Sequence, residues 1–175
     1  MIGRALRGAV VLLVGFVLVS ACGSDRPEAL SMDEVKPCEL ISQSDLKRFQ
    51  VRAQPQSRGS VSGVGTEGSS CYYNPLNTNS VRISAITNHG IDRWMNGSLE
   101  HSKFKELSRI QGFRAIKVWQ VPGGSGPDSN CKVYVDVAGG QSLRVQVDRS
   151  FEKKDPPTCD TARRYAEAAM KTLAN

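Results

Sequence analysis

Two runs of alternating residues around a pair of glycines constrain this chain most. Cys131-Lys-Val133-Tyr-Val135-Asp-Val137 and Leu143-Arg-Val145-Gln-Val147 flank Ala138-Gly139-Gly140-Gln141. Successive side chains on a strand point to opposite faces, so a period of two makes each run a strand with one apolar face. The two glycines supply the positive-φ backbone that a tight hairpin turn needs. The hairpin is therefore expected to turn Val133, Val135, Val137, Leu143, Val145 and Val147 toward a core, and Lys132, Tyr134, Asp136, Arg144, Gln146 and Asp148 toward water. A face of six aliphatic residues must be covered. Near the C-terminus Ala162, Tyr165, Ala166, Ala169, Met170 and Leu173 recur at helical spacing, the stripe of a helix able to lie on that sheet. Asp160 or Thr158 is placed to cap it.

Upstream, Ile41-Ser42-x-x-Asp45-Leu46 reads as a helix start. Ser42 caps the amide of Asp45, Asp45 returns the bond, and Ile41 staples onto Leu46. A short helix to about Gln50 follows. Residues 51–70, rich in Gly, Ser and Gln, carry no periodicity and read as a long surface loop. Cys71-Tyr72-Tyr73 and Val81–Ile86 form two strands joined by an Asn-Pro-Leu-Asn-Thr-Asn turn. Ile91, Trp94 and Met95 recur at helical spacing after an Asn88 cap, and a more charged helical stretch runs from Leu99 to Leu107. Ala115–Val121 is the third strand. The resulting order is α-β-β-α-β-β-β-α: an α+β domain with an antiparallel sheet of about five strands and helices mainly on one face. A length of 175 residues suits one such domain.

The N-terminus has a different character. Arg4 and Arg7 precede an apolar run from Ala9 to Val19, which is too short to span a bilayer as a helix of about 20 residues. It has the make-up of a secretory signal peptide over residues 1–21. Leu18-Val19-Ser20-Ala21-Cys22-Gly23 resembles the lipobox of bacterial lipoproteins, whose first mature cysteine is diacylated on sulfur. That resemblance implies lipidation at Cys22, a tether over 22–36, a folded domain over 37–175, and anchoring to the extracytoplasmic face of the cell membrane. Two acyl chains make such anchoring stable where one is reversible. Loss of residues 1–21 leaves 21 cations against 17 acids, a net of +4. No Lys/Arg cluster of the nucleic-acid type occurs, so nucleic acid is excluded as a partner. The modest positive excess favours anionic lipid or polymer.

With Cys22 assigned to lipid, Cys38, Cys71, Cys131 and Cys159 remain, an even number in an oxidising compartment. Of three connectivities, Cys38–Cys71 with Cys131–Cys159 is preferred, because each pair then joins the start of a helix to a nearby strand. Metal binding is the alternative. It lacks Cys-x-x-Cys spacing, and neither His89 nor His101 lies near a cysteine in sequence.

Catalytic signatures are sparse. Gly63-Val64-Gly65-Thr66-Glu67-Gly68 matches G-x-G-x-x-G but has no strand before it and no helix after it to hold a pyrophosphate, and so reads as a flexible loop. G-x-S-x-G and H-E-x-x-H are absent from the sequence, leaving His89 and His101 as isolated candidates. Trp94 and Trp119 follow the patterning of core residues rather than of a binding pocket.

Lys36-Pro37-Cys38-Glu39-Leu40-Ile41, Ser70-Cys71-Tyr72-Tyr73, the Cys131 strand with Gln141-Ser142-Leu143, and Thr158-Cys159-Asp160-x-Ala162 together carry a family likeness. Over about Pro37 to Leu173 the chain resembles the small actinobacterial, mycobacterial-type lipoproteins built around a domain of unknown function. The resemblance implies an exported, lipid-anchored domain with four cysteines at Cys38, Cys71, Cys131 and Cys159, and it implies no catalytic residue. The chain departs from the family's commoner Gly-Leu-Gly-x-x-Ala segment at Gln111-Gly112-Phe113-Arg114-Ala115.

An export anchor without a reactive constellation predicts a non-enzymatic binding or accessory module that carries no cofactor and no metal. It recognises an envelope ligand or a protein partner through Lys132, Tyr134 and Arg144 on the hairpin's wet face. The alternatives are an envelope hydrolase using His89 or His101 beside an acid, and a pure interaction scaffold.

Overall fold

The computed structural model describes residues 27–61, 63, 65–76, 79–96, 102–120, 130–149 and 156–175. The expected signal peptide, Cys22 and His101 lie outside the described residues. A 3₁₀ turn (Pro37–Glu39) and α1 (Gln43–Arg48) lead into β1 (Gln56–Ser57), β2 (Gly68–Tyr73) and β3 (Ser80–Ile86). A short α2 (Asp92–Met95) precedes β4 (Ser102–Ile110), β5 (Phe113–Gln120), β6 (Asn130–Ala138) and β7 (Gln141–Asp148), and α3 (Thr158–Leu173) closes the domain.

All seven strands join one sheet in the order β1-β2-β3-β7-β6-β5-β4, with every pairing antiparallel. The chain leaves the sheet after β3, re-enters at the far edge as β4, and meanders back until β7 pairs with β3. The β6–β7 hairpin predicted from alternation is thus central. Val133 stands opposite Val145 and Val135 opposite Leu143, with Val147 facing Val81 on the other side. These residues are fully buried beneath α3, whose Ala162, Ala166, Ala169 and Met170 meet them. Gly140 adopts the expected positive φ, 74°.

Both preferred disulfides form, with Cα–Cα separations of 5.1 Å each. Cys38–Cys71 ties the 3₁₀ turn to β2, and Cys131–Cys159 ties β6 to the first turn of α3. Beside the first bond the Tyr73 hydroxyl donates to the Pro37 carbonyl at 2.5 Å.

The α+β class stands; several details differ. The sheet has seven strands rather than about five. One addition is β1, within the stretch read as a loop, where Gln56 and Ser57 pair with Tyr72 and Cys71; two exposed polar residues carry no periodic signal. The other is β4, which replaces the described part of the helix expected over 99–107. Its residues are exposed along nearly the whole strand, and the lysines that resembled a helix's wet face are those of a protected sheet edge. At α3 neither Thr158 nor Asp160 caps: the N-cap is Pro157, without a side-chain bond. Thr158 is instead buried. Asn88 does not cap α2, because its amide bridges the Glu67 N–H and the Gly65 carbonyl. In the expected tether, Met32 is buried in the core, and the Leu30 N–H donates to the Val137 carbonyl at 3.0 Å. Within the described residues no helix is long and apolar enough to cross a membrane.

Candidate functional site

The face opposite α3 is where the fold departs most from a bland solvated sheet. Strand register aligns Tyr72, Arg82, Gln146 and Lys132 in one row, and Ser84, Arg144 and Tyr134 in the next. The segment that follows β3 folds back over part of this face. Ile91 is fully buried there, and Trp94 stacks on Tyr134 with ring centroids 4.6 Å apart. With Val61, Ile86, Ile116 and Val118 they form a second apolar cluster.

This cover corrects the reading of the wet face. Lys132 remains half-exposed, whereas Tyr134 has no exposure and Arg144 only 3%. A period of two separates the faces of a strand, but the burial of the second face depends on residues some 40 positions away in sequence. Trp94 supplies part of the cover, as its apolar spacing suggested. Trp119, in β5, is half-buried, with the Lys117 amine 5.8 Å from its ring centre.

Beside the covered part lies a cationic group. The Arg82 and Arg58 guanidiniums stand over the Tyr72 ring at 4.3 and 5.2 Å. Arg144 donates to Ser84 Oγ at 3.2 Å. Burial lowers the Lys132 pKa, and the charge of Arg144 lowers it further, while Asp148 opposes the shift. Burial likewise lowers that of Arg82, with Arg144 and Arg58 adding to the effect. Asp148 is the acid of this group, and its two oxygens accept from Gln146, at 2.8 Å, and from Asn130. Lys132 and Arg82 therefore share the field of one carboxylate, Asp148, that amides also engage. A partly desolvated, mainly cationic surface is suited to attracting an anion.

The remaining candidates resolve differently. The half-buried His89 ring bonds to the Gly65 carbonyl, at 2.7 Å, and to Arg93. Among the described residues no carboxylate bonds to that ring. In the G-x-G-x-x-G stretch, Gly68 begins β2, and a β-carbon there would collide with the Ala85 carbonyl oxygen. The close approach of two strands accounts for that glycine. No group of three or more metal-ligating side chains gathers among the described residues.

A family model described as a protein of unknown function, DUF3558, matches residues 17–172. The chain belongs to the DUF3558 family. The match runs from within the N-terminal apolar segment to the last turn of α3 and so takes in all five cysteines. Neither a curated protein nor a solved structure shows significant similarity to this DUF3558 chain.

Proposed function

We propose that this DUF3558 protein is a non-enzymatic binding module, anchored through diacylated Cys22 at the outer face of the cell membrane. Its β2-β3-β7-β6 face engages an anionic lipid or polymer at that surface. The observation that carries the reading is the partly buried pair Lys132 and Arg82, which lose proton affinity to burial and to the neighbouring charges of Arg144 and, for Arg82, Arg58, with Asp148 opposing. The lipobox-like ending at Cys22 and two disulfides, Cys38–Cys71 and Cys131–Cys159, support an oxidising, extracytoplasmic address.

The anchor and the face are tested separately. Cys22→Ser is expected to release the protein into the soluble fraction, and unchanged membrane retention overturns lipidation as the anchor. The released protein is then mixed with phosphatidylglycerol vesicles or with a soluble acidic polymer, each at low and high salt. Salt-sensitive binding to either, lost in the Arg82→Gln/Lys132→Gln double variant, is the expected result. Binding to neither overturns the role of the face. Binding that ignores the double variant does the same.

A further inference from the structure

The two edges of the sheet are unlike. β1 closes one edge with two residues, whereas β4 closes the other with nine. Alternate residues of an edge strand turn their N–H and C=O groups away from the sheet. Among the described residues no backbone group outside β5 bonds to β4. α3 reaches the strand at Ser108, which accepts from Arg163 at 2.8 Å, and residues 102–106 precede that contact.

The side chains of this edge alternate in kind. Register with β5 sets Lys103 opposite Trp119 and Lys105 opposite Lys117 on one face, and Phe104 opposite Val118 and Glu106 opposite Ile116 on the other. Lys103 and Lys105 are exposed, and Lys117 is half-buried. None of the three lysines makes an ion pair among the described residues. Like charges directly opposite one another, as Lys105 and Lys117 are, destabilise a sheet. On the other face Glu106 is held by Arg114 at 3.2 Å, while Phe104 is left 40% exposed.

We propose that β4 is a docking edge for an extended acidic segment of a partner protein, which joins the sheet as one more strand. Main-chain bonds along the free edge supply affinity, and alternate side chains supply specificity. An acid–apolar–acid triplet fits the edge: the acids lie beside Lys103 and Lys105, and the apolar residue lies against Phe104. The acids also relieve the repulsion between Lys105 and Lys117. The same lysines exclude a second copy of this chain. Antiparallel pairing of two β4 strands about Lys103, Phe104 or Lys105 sets lysine against lysine, so the edge is closed to itself and open to an acidic strand. It is separate from the cationic β2-β3-β7-β6 face and does not depend on it.

The probe is the capped peptide Thr-Glu-Val-Glu-Val-Thr, added to the full chain in non-ionic detergent and followed by calorimetry and amide hydrogen exchange. Thr-Glu-Pro-Glu-Pro-Thr carries the same charge but lacks N–H groups that a strand needs, and Thr-Lys-Val-Lys-Val-Thr reverses the charge. The glutamate–valine peptide is expected to bind saturably and to slow exchange at alternate amides within residues 102–107. The proline and lysine peptides should bind at least tenfold more weakly. Lys103→Glu/Lys105→Glu should lose the acidic peptide by tenfold or more and take up the lysine peptide, a gain that only a folded edge can show. Arg82→Gln/Lys132→Gln should bind the acidic peptide as the parent does. Failure of the acidic peptide to bind, or binding that leaves exchange in β4 unchanged, overturns the assignment. Equal binding of the proline peptide does so too, because charge alone, as on an anionic polymer, would then suffice. A charge-reversed protein that keeps the acidic peptide or refuses the lysine one overturns it as well.

Discussion

Lys132 keeps a charge in a place that disfavours it. Burial and the neighbouring Arg144 both lower its proton affinity, so in the unliganded protein the protonated amine works against folding. The sign is clear: a cation whose pKa is depressed by the fold destabilises it wherever the unfolded chain carries the proton. Lys132→Met is therefore expected to raise Tm at neutral pH while abolishing anion binding. A lowered Tm would place Lys132 among structural residues instead. The tyrosines give a second prediction. Burial pushes the Tyr134 phenol up to about 12 and raises those of Tyr73 and Tyr165 as well. An unfolded tyrosine ionises near pH 10, so this contribution to stability is complete below about pH 10. It is lost as pH climbs from there through the folded values. Urea denaturation across alkaline pH should show stability falling above about pH 10, with phenolate absorbance rising as the protein unfolds. Ionisation of these three phenols near pH 10 in a protein that remains folded would contradict their burial. At this scale the sequence placed Lys132, Tyr134 and Arg144 on one face, because alternation is local. It left the burial of Tyr134 and Arg144 unread, because the covering Trp94 comes from a distant segment. The Tyr165 hydroxyl, unpartnered among the described residues, was equally hidden: its helical spacing marked Tyr165 as core, and nothing in that spacing shows whether a hydroxyl has a partner.

The elements show which patterns survive the step from chain to fold. α1 begins where its capping residues place it: the Asp45 N–H donates to Ser42 Oγ at 3.1 Å. The return bond runs from the Ser42 hydroxyl to Asp45 Oδ2 at 2.8 Å, rather than from the Ser42 backbone. Ser42→Ala should cost about 1 kcal/mol, the usual worth of such a cap, measured by urea titration. The β6–β7 hairpin and α3 were legible because each has an apolar face several residues long. β4 was not, since an edge strand lined with lysines lacks such a face. Cys131–Cys159 fixes α3 to β6 where no side chain caps the helix. Replacing both cysteines by alanine should cost about 3.5 kcal/mol, the chain-entropy value for a loop of this length. A loss near zero would mean that packing alone seats α3.

The molecule as a whole has two differently finished faces. One is closed by α3 over an aliphatic core; the other is partly covered by the Trp94 segment and leaves two partly buried cations, Arg82 and Lys132, beside it. Burying those cations works against stability, and the proposed anionic partner would offset that cost. Under the proposed anchoring, Lys132 should be shielded at the membrane. The decisive measurement compares amine acetylation of Lys132 in intact membranes and in the Cys22→Ser protein, with exposed Lys171 on α3 as the internal reference. Marked protection of Lys132 in membranes, with Lys171 labelled alike in both, is the predicted result. Equal labelling of Lys132 in both would contradict the binding role of the cationic face.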